Sequence, residues 1–148
     1  MDNFDSELEQ RVWKRVHGEQ PQQNVSLQSL ASAEQNEAAV YLMLSRQLQG
    51  AEKAMLRRLF SEEQTHGAIL RGIHTAMTGQ KLTLRTIPPK PETPEIALKK
   101  CYARKLKALS EYESRTGDKE FGAVFSYLAR QERTHCAMLL EILGNLKG

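Results

Sequence analysis

A chain of 148 residues in which 40% are hydrophobic and 26% are charged is long enough to bury the core of one globular domain. The net charge of +3 is spread along the chain and not gathered in a basic run, which argues against a nucleic-acid or membrane-surface partner. No stretch is apolar over the length of a membrane span, and the N-terminus is acidic and polar where a secretory signal is basic and then apolar, so we expect a cytoplasmic protein.

Residues 1–24 predict an N-terminal amphipathic helix followed by a polar linker. The apolar residues of this helix recur on one face: Leu8, Val12, Trp13, Val16. We expect that face to pack on the main domain, residues 25–148, or on a second copy of it.

Two further amphipathic helices are predicted over residues 26–50 and 51–78. Glu34 lies in the middle of the apolar stripe of the first, and Glu63 and His66 interrupt the stripe of the second. Three residues span nearly one helical turn, so Glu63 and His66 project from the same face and can bind one metal ion. Taken singly, each His is more often a core residue and each Glu a solvated or ion-paired one.

The segment 79–92 contains Pro88, Pro89 and Pro91 and has no helical period. In polyproline geometry it reaches roughly 43 Å, and the helix before it is about 42 Å long at the usual rise per residue. The segment can therefore cross the whole length of a bundle, which allows the helices before and after it to run parallel.

The last two predicted helices begin at Thr93 and Asp118, residue types that cap helix N-termini. The first of them has Lys105 at the centre of its apolar stripe, and the second has Glu132 and His135 set into its own stripe. The two cysteines belong to no CxxC pattern, so we expect inert buried thiols at Cys101 and Cys136.

The two helical pairs repeat one another in sequence. Superposing His66 on His135 aligns one Glu-x-x-His motif with the other, together with apolar positions such as Leu59 with Leu128 and Ile73 with Ile142. In the first pair Glu34 precedes Tyr41 by seven residues, and in the second pair Lys105 precedes Tyr112 by seven. The copies thus agree at packing positions and differ at one candidate ligand.

Over roughly residues 27–145 this pattern resembles the rubrerythrin branch of the ferritin-like superfamily. The resemblance implies an all-α, ferritin-like four-helix bundle with a long crossover between its second and third helices and, here, an additional N-terminal helix. It also implies a di-iron or di-manganese centre, whose ligands carry over as follows: Glu34, Glu63, His66, Glu132, His135. The sixth ligand of the family is replaced by Lys105, and the paired CxxC motifs of the rubredoxin-like domain are absent from the sequence.

Tyr41 and Tyr112 are core aromatics whose hydroxyls need hydrogen-bond partners, and a carboxylate of the site is one candidate partner for each. The resemblance further implies that bundles pair side by side as a homodimer. Glu37 and Glu62 lie off the centres of their stripes, and we expect both to be solvated. We expect His17 and His74 to be structural or exposed.

Two functions remain open at this stage. The first is a rubrerythrin-type metal-binding protein with iron or manganese, in which the family chemistry is oxidation of ferrous iron by oxygen or peroxide; the sequence identifies no electron donor. The second is a degenerate bundle without catalysis or metal, acting as a structural or binding module. A Lys105 side chain that reaches Glu34, Glu63 or Glu132 would discriminate between them, because its ammonium can replace metal charge. One divalent ion plus this ammonium would neutralise three carboxylates, whereas two ions would leave excess positive charge.

Overall fold

The structure, a computed structural model, describes residues 25–146 and contains four α-helices and no strand within them. Their bounds are as follows: α1 Leu27–Ser45, α2 Gly50–Thr78, α3 Pro94–Ser114, α4 Gly122–Leu146. The prediction of an all-α protein with four long helices in this part of the chain is confirmed. The helix predicted within residues 1–24 lies outside the described residues.

The helices begin and end at residues suited to those places. The Ser26 hydroxyl accepts a hydrogen bond from the Ser29 amide at 3.0 Å and so caps α1. At the start of α3, Thr93 caps the helix in the same way and Pro94 occupies the first turn, where a missing amide hydrogen costs nothing. Gly79 ends α2 with φ of 74°, a left-handed conformation that favours glycine.

The four helices form a bundle of two hairpins, α1 with α2 and α3 with α4, which contact one another through α2 with α4 and α1 with α3. One apolar cluster combines residues late in α1 and α4 with residues early in α2 and α3: Tyr41, Leu44, Leu56, Leu59, Ala97, Leu98, Cys101, Met138, Leu139, Ile142. A second cluster combines the opposite halves of the same helices: Leu27, Leu30, Ala31, Leu70, Ile73, Tyr112, Phe125, Leu128, Ala129. The polar residues described below lie between these two clusters.

The segment that joins α2 to α3 is held along α1 by three polar side chains of that helix. Gln28 donates to the Thr83 carbonyl at 2.8 Å, and Ser32 accepts from the Arg85 amide at 2.9 Å. Further along α1, Asn36 donates to the Arg85 carbonyl at 3.1 Å and accepts from the Ile87 amide at 2.9 Å. Because these α1 residues succeed one another by about one helical turn, the segment follows the helix over two turns.

At Gly122 the start of α4 lies close to the backbone of the turn before it. A Cβ atom at this position would lie 2.3 Å from the Thr116 carbonyl oxygen, which is backbone and cannot rotate away. We expect Gly122→Ala to lower the free energy of unfolding by about 1–3 kcal/mol in urea titrations. Gly72→Ala is the matched control: a Cβ there meets nothing within 4 Å, so it should raise stability by up to about 1 kcal/mol. Equal stabilities of the two variants would contradict this account.

Candidate metal centre

Seven ionisable side chains meet at mid-length of the bundle. All of them are buried, with at most 2% of each residue exposed: Glu34, Glu37, Glu63, His66, Lys105, Glu132, His135. Every helix contributes, since the apolar stripe of each turns its central positions towards the same interior space. The five predicted ligands and Lys105 are therefore brought together.

The Lys105 ammonium lies at the centre of the carboxylates. Its Nζ atom is 3.0 Å from Glu34 Oε1, 3.0 Å from Glu37 Oε1, 2.5 Å from Glu63 Oε2 and 2.8 Å from Glu132 Oε2. The lysine side chain is fully buried and does not reach water. Four carboxylates around one ammonium resemble the oxygen shell of a cation, and an isolated charge at this depth would be too costly to keep.

Glu37 and Glu62 were both predicted to be solvated, and this is wrong for Glu37. It is 2% exposed, contacts Lys105, accepts a hydrogen bond from the Tyr41 hydroxyl at 3.4 Å, and its Oε2 lies 3.3 Å from Arg104 Nε. The physical reason is that Glu37 follows Glu34 by nearly one turn and shares its face. Glu62 remains partly exposed, at 28% of its side chain, but its Oε1 is 2.7 Å from His135 Nε2.

The two histidines face the cluster through Nδ1 and face outward through Nε2. His66 Nδ1 is 2.9 Å from Glu34 Oε2 and 3.4 Å from both Glu63 Oε1 and Glu132 Oε1, while its Nε2 is 3.4 Å from Gln131 Oε1. His135 Nδ1 is 2.9 Å from Glu63 Oε1. The two rings stack with their centroids 5.0 Å apart. The paired Glu-x-x-His motifs thus form one polar layer between α2 and α4.

These atoms fit a metal ion. One ligand atom from each of Glu63, His66, Glu132 and His135 lies within 4.8 Å of all the others. Within residues 25–146, Glu63 Oε1, Glu132 Oε2 and His135 Nδ1 are buried and make no hydrogen bond of good geometry, although Glu63 Oε1 lies 2.9 Å from His135 Nδ1 and Glu132 Oε2 lies 2.8 Å from Lys105 Nζ. If His135 donates its Nε2 proton to Glu62, its Nδ1 presents a lone pair to the cluster, which is how outer carboxylates prepare histidine ligands. Carboxylate oxygen and imidazole nitrogen together suit iron, manganese and zinc.

A second set of oxygen donors is filled by the ammonium. Glu34, Glu37 and Glu63 also offer ligand atoms within 4.8 Å of one another, and all three contact Lys105 Nζ at 3.0 Å or less. The cluster therefore contains two sets of donors that share Glu63. Lys105 fills one set and also lies 2.8 Å from Glu132 Oε2, so the set with both histidines is filled only in part.

Burial and mutual repulsion set the protonation of this cluster. Burial and the neighbouring Glu63 carboxylate raise the pKa of Glu34 to about 7. Burial also raises the pKa of Glu37 to about 8, although the Lys105 ammonium opposes the rise. Burial alone would lower the pKa of His66, but hydrogen bonds to Glu132, Glu34 and Glu63 outweigh it and raise the value to about 12. The carboxylates likewise outweigh burial at Lys105 and raise its pKa well above the usual value.

These shifts predict that the metal-free protein loses stability as the pH rises. A group with a higher pKa in the folded than in the unfolded chain binds more protons when folded, so raising the pH between the two values favours unfolding. For Glu34 and Glu37 the pKa interval runs from 4.5 to about 7 and about 8, and for His66 it runs from 6.5 to about 12. The pKa of Glu63 is lowered, so this group makes stability rise with pH, but only below pH 4.5.

Urea titration of metal-free protein at several pH values tests this. We expect a fall of about 2 kcal/mol or more in the free energy of unfolding between about pH 5.5 and about pH 8.5. Metal affinity should change in the opposite direction, because the same groups must release protons before they can bind a cation. Stability that rises over this range would contradict the assigned protonation.

The two tyrosines considered as hydrogen-bond donors to the site, Tyr41 and Tyr112, differ in their contacts. Tyr41 contacts a carboxylate of the cluster, that of Glu37, as its predicted position near the ligands requires. Tyr112 does not: its hydroxyl is buried without a hydrogen-bond partner in the described part of the chain, and its ring packs on Phe125. Tyr112 thus has the surroundings of a core aromatic, in the apolar cluster at the opposite end of the bundle from that of Tyr41.

Comparisons with protein-family models, with curated proteins and with solved structures give no match for this chain. Among the helices described between residues 25 and 146, none has both the length and the apolar character needed to cross a membrane. The buried cluster is therefore the feature of the chain from which a function can be inferred.

Proposed function

We propose that the chain is a ferritin-like, rubrerythrin-type metal-binding protein that holds one divalent ion, iron or manganese. The ion is bound by Glu63, His66, Glu132 and His135, and the Lys105 ammonium takes the place of the second ion of the family. The observation that carries the proposal is the contact of one buried ammonium with four carboxylates, beside a set of donors that includes both histidines.

The ferritin-like part of the proposal is supported by the connection and by the repeat. The segment between α2 and α3 is bonded along α1, as a crossover between parallel helices requires. The two Glu-x-x-His motifs lie on α2 and α4, and Glu34 and Lys105 lie on α1 and α3, the helices that precede them in each hairpin. This is the distribution of ligands in ferritin-like di-iron bundles, with a lysine at one position.

Charge favours one ion over two. Glu37 adds a fourth carboxylate to the three that were predicted, and Lys105 and Arg104 offset two of the four. When the ion binds, His66 must lose the proton that its raised pKa holds, and one divalent ion with two neutral imidazoles then brings the group to zero. A second divalent ion would leave it with excess positive charge in a buried space, which is costly.

The residues of the chain hold and orient the ion, and they exclude water. Glu62 accepts from His135 Nε2 and Gln131 lies against His66 Nε2, so both rings are held with Nδ1 inward. A ferrous ion bound here supplies one electron to an oxidant, whereas reduction of peroxide to water takes two. Binding and retention of the ion therefore suit this site better than the two-metal oxidation of the family.

Anaerobic titration with ferrous and manganous ions, followed by elemental analysis, tests the proposal. We expect about one tightly held ion per chain, by the charge argument above. His66→Gln and His135→Gln should each weaken binding by about tenfold to a hundredfold. Glu141→Gln, which alters an exposed carboxylate of α4, should leave binding unchanged and so controls for adventitious ions. Equal effects of all three variants would overturn the proposal.

A second candidate is a bundle without metal, favoured by the same Lys105 contacts because they already satisfy much of the cluster. In that case the titration gives no tight ion, and chelators and added metal leave thermal stability unchanged. A metal that binds only the folded chain would instead raise the unfolding temperature with its concentration.

A further inference from the structure

Part of the buried cluster lies beside surface cavities between α1 and α3. Two cavities open on this face, a groove of about 500 Å³ covered by the segment 85–92 and a smaller pocket of about 200 Å³ towards Val25. Glu37 and Arg104 line both cavities, and Glu34 lines the smaller one. Two carboxylates of the cluster are thus also part of the walls of surface cavities.

Arg104 lies against the cluster carboxylate that both cavities share, that of Glu37. Its Nε lies 3.3 Å from Glu37 Oε2, its Nη2 donates to Cys101 Sγ at 3.4 Å, and 43% of its side chain is exposed. The other residues that line both cavities are Ser29 and Ala33, whose side chains are small. The guanidinium therefore covers the one cluster carboxylate that both cavities share.

We propose that Arg104 is the gate through which a divalent cation enters and leaves the buried site. When the guanidinium swings into the groove, Glu37 faces the cavity and can take the cation from water towards Glu34 and the histidines. This inference rests on the proposed function, since it assigns a route to the metal site. The gate affects the rates at which the cation enters and leaves, whereas the proposed function concerns how tightly the cation binds at equilibrium.

The α2–α4 face provides a matched control. There Arg58 pairs with Glu62 at 2.8 Å, and Glu62 contacts His135 of the cluster. Arg58 and Arg104 are both partly exposed arginines, each bonded to a glutamate that contacts the cluster. Neither cavity described above is lined by Arg58 or Glu62, so only the Arg104 variant should open a route.

Stopped-flow absorbance with Co²⁺ measures the rates. Arg104→Ala should accelerate both association and dissociation of Co²⁺ by about tenfold or more, because it removes a charge-assisted contact that must break in either direction. Arg58→Ala should change neither rate. If Arg104 only repelled cations and did not block their path, Arg104→Ala would raise the association rate of Co²⁺ and lower its dissociation rate. That result would overturn the proposal. So would acceleration by Arg58→Ala alone, since the route would then lie between α2 and α4.

Alkylation of Cys101 tests the gate without metal. Burial raises the pKa of this thiol to about 12, and the Arg104 guanidinium opposes the rise, so its loss alone would slow alkylation. We expect Arg104→Ala to accelerate alkylation of Cys101 by about tenfold while Cys136, the internal reference on α4, stays unchanged. Unchanged or slower reaction at Cys101 would overturn the gate.

The two measurements separate the two proposals. If Co²⁺ does not bind the wild-type protein, the proposed function fails and the alkylation rates alone decide whether Arg104 closes the passage. If Co²⁺ binds but neither set of rates responds to Arg104→Ala, the gate fails and the metal site stands. Arg104→Gln, which loses the charge but keeps polar bonding, replaces Arg104→Ala in both measurements should the alanine variant not fold.

Discussion

Lys105→Met should lower the free energy of unfolding by about 3–5 kcal/mol, the usual cost of removing one partner from a buried ion pair. The Met side chain fills nearly the same volume, so the loss reports charge and not a cavity. Four carboxylates now contact this ammonium. Without it they must take up protons to remain buried, and the loss of stability should therefore be greater near pH 8.5 than near pH 5.5.

Urea titration of metal-free protein measures this loss. The control is Lys107→Met, because Lys107 is exposed on the same helix and its replacement should change stability by less than about 0.5 kcal/mol. Added Mn²⁺ should recover part of the stability of Lys105→Met, since the vacated oxygen donors can then bind a cation. A Lys105→Met protein as stable as the wild type at the higher pH would show that the ammonium does not hold the cluster together.

Lys105→Glu should convert the site into one that binds two ions per chain. The substitution removes the cation from the donor set formed by Glu34, Glu37 and Glu63, and it supplies the carboxylate that the ferritin-like ligand set lacks. Replacing a positive by a negative charge within about 4 Å of the second position should tighten binding there by about a hundredfold or more. The metal-free variant should also be less stable than wild type, because five carboxylates then lie together.

Iron titration under anaerobic conditions tests the conversion, with Lys105→Gln as the matched control. The glutamine removes the ammonium without adding a charged ligand, so its affinity for a second ion should lie between those of the wild type and Lys105→Glu. A wild-type protein that already binds two ions tightly would contradict the account. A Lys105→Glu protein with no gain would contradict it equally.

Most residues of the buried cluster could be predicted from their spacing along the sequence. Glu63 with His66, and Glu132 with His135, were predicted to share helix faces because three residues make nearly one turn. Lys105 and Glu34 were found from their central positions in apolar stripes, and all six lie in the buried cluster. The four helices also follow from apolar period and capping residues, since Ser26 and Thr93 cap α1 and α3.

The spacing of residues in the sequence could not predict how deeply residues at the edge of an apolar stripe are buried. Glu37 lies about 60° from Glu34 around the helix, so its burial depends on how α1 is rotated against α3, which the sequence of α1 alone does not specify. Its spacing from Glu34 and Tyr41 was the available signal. Arg104 drew no prediction from the sequence, because its ion pair with Glu37 depends on the same rotation.

Anomalous diffraction from crystals of the wild-type protein grown with Mn²⁺ tests the central claim most directly. The account predicts one anomalous peak per chain, bounded by Glu63, His66, Glu132 and His135, with Lys105 Nζ still among the carboxylates of Glu34 and Glu37. Two peaks per chain, or a single peak between Glu34 and Glu37 with Lys105 displaced from the cluster, would contradict the claim that the ammonium stands in the place of a metal ion.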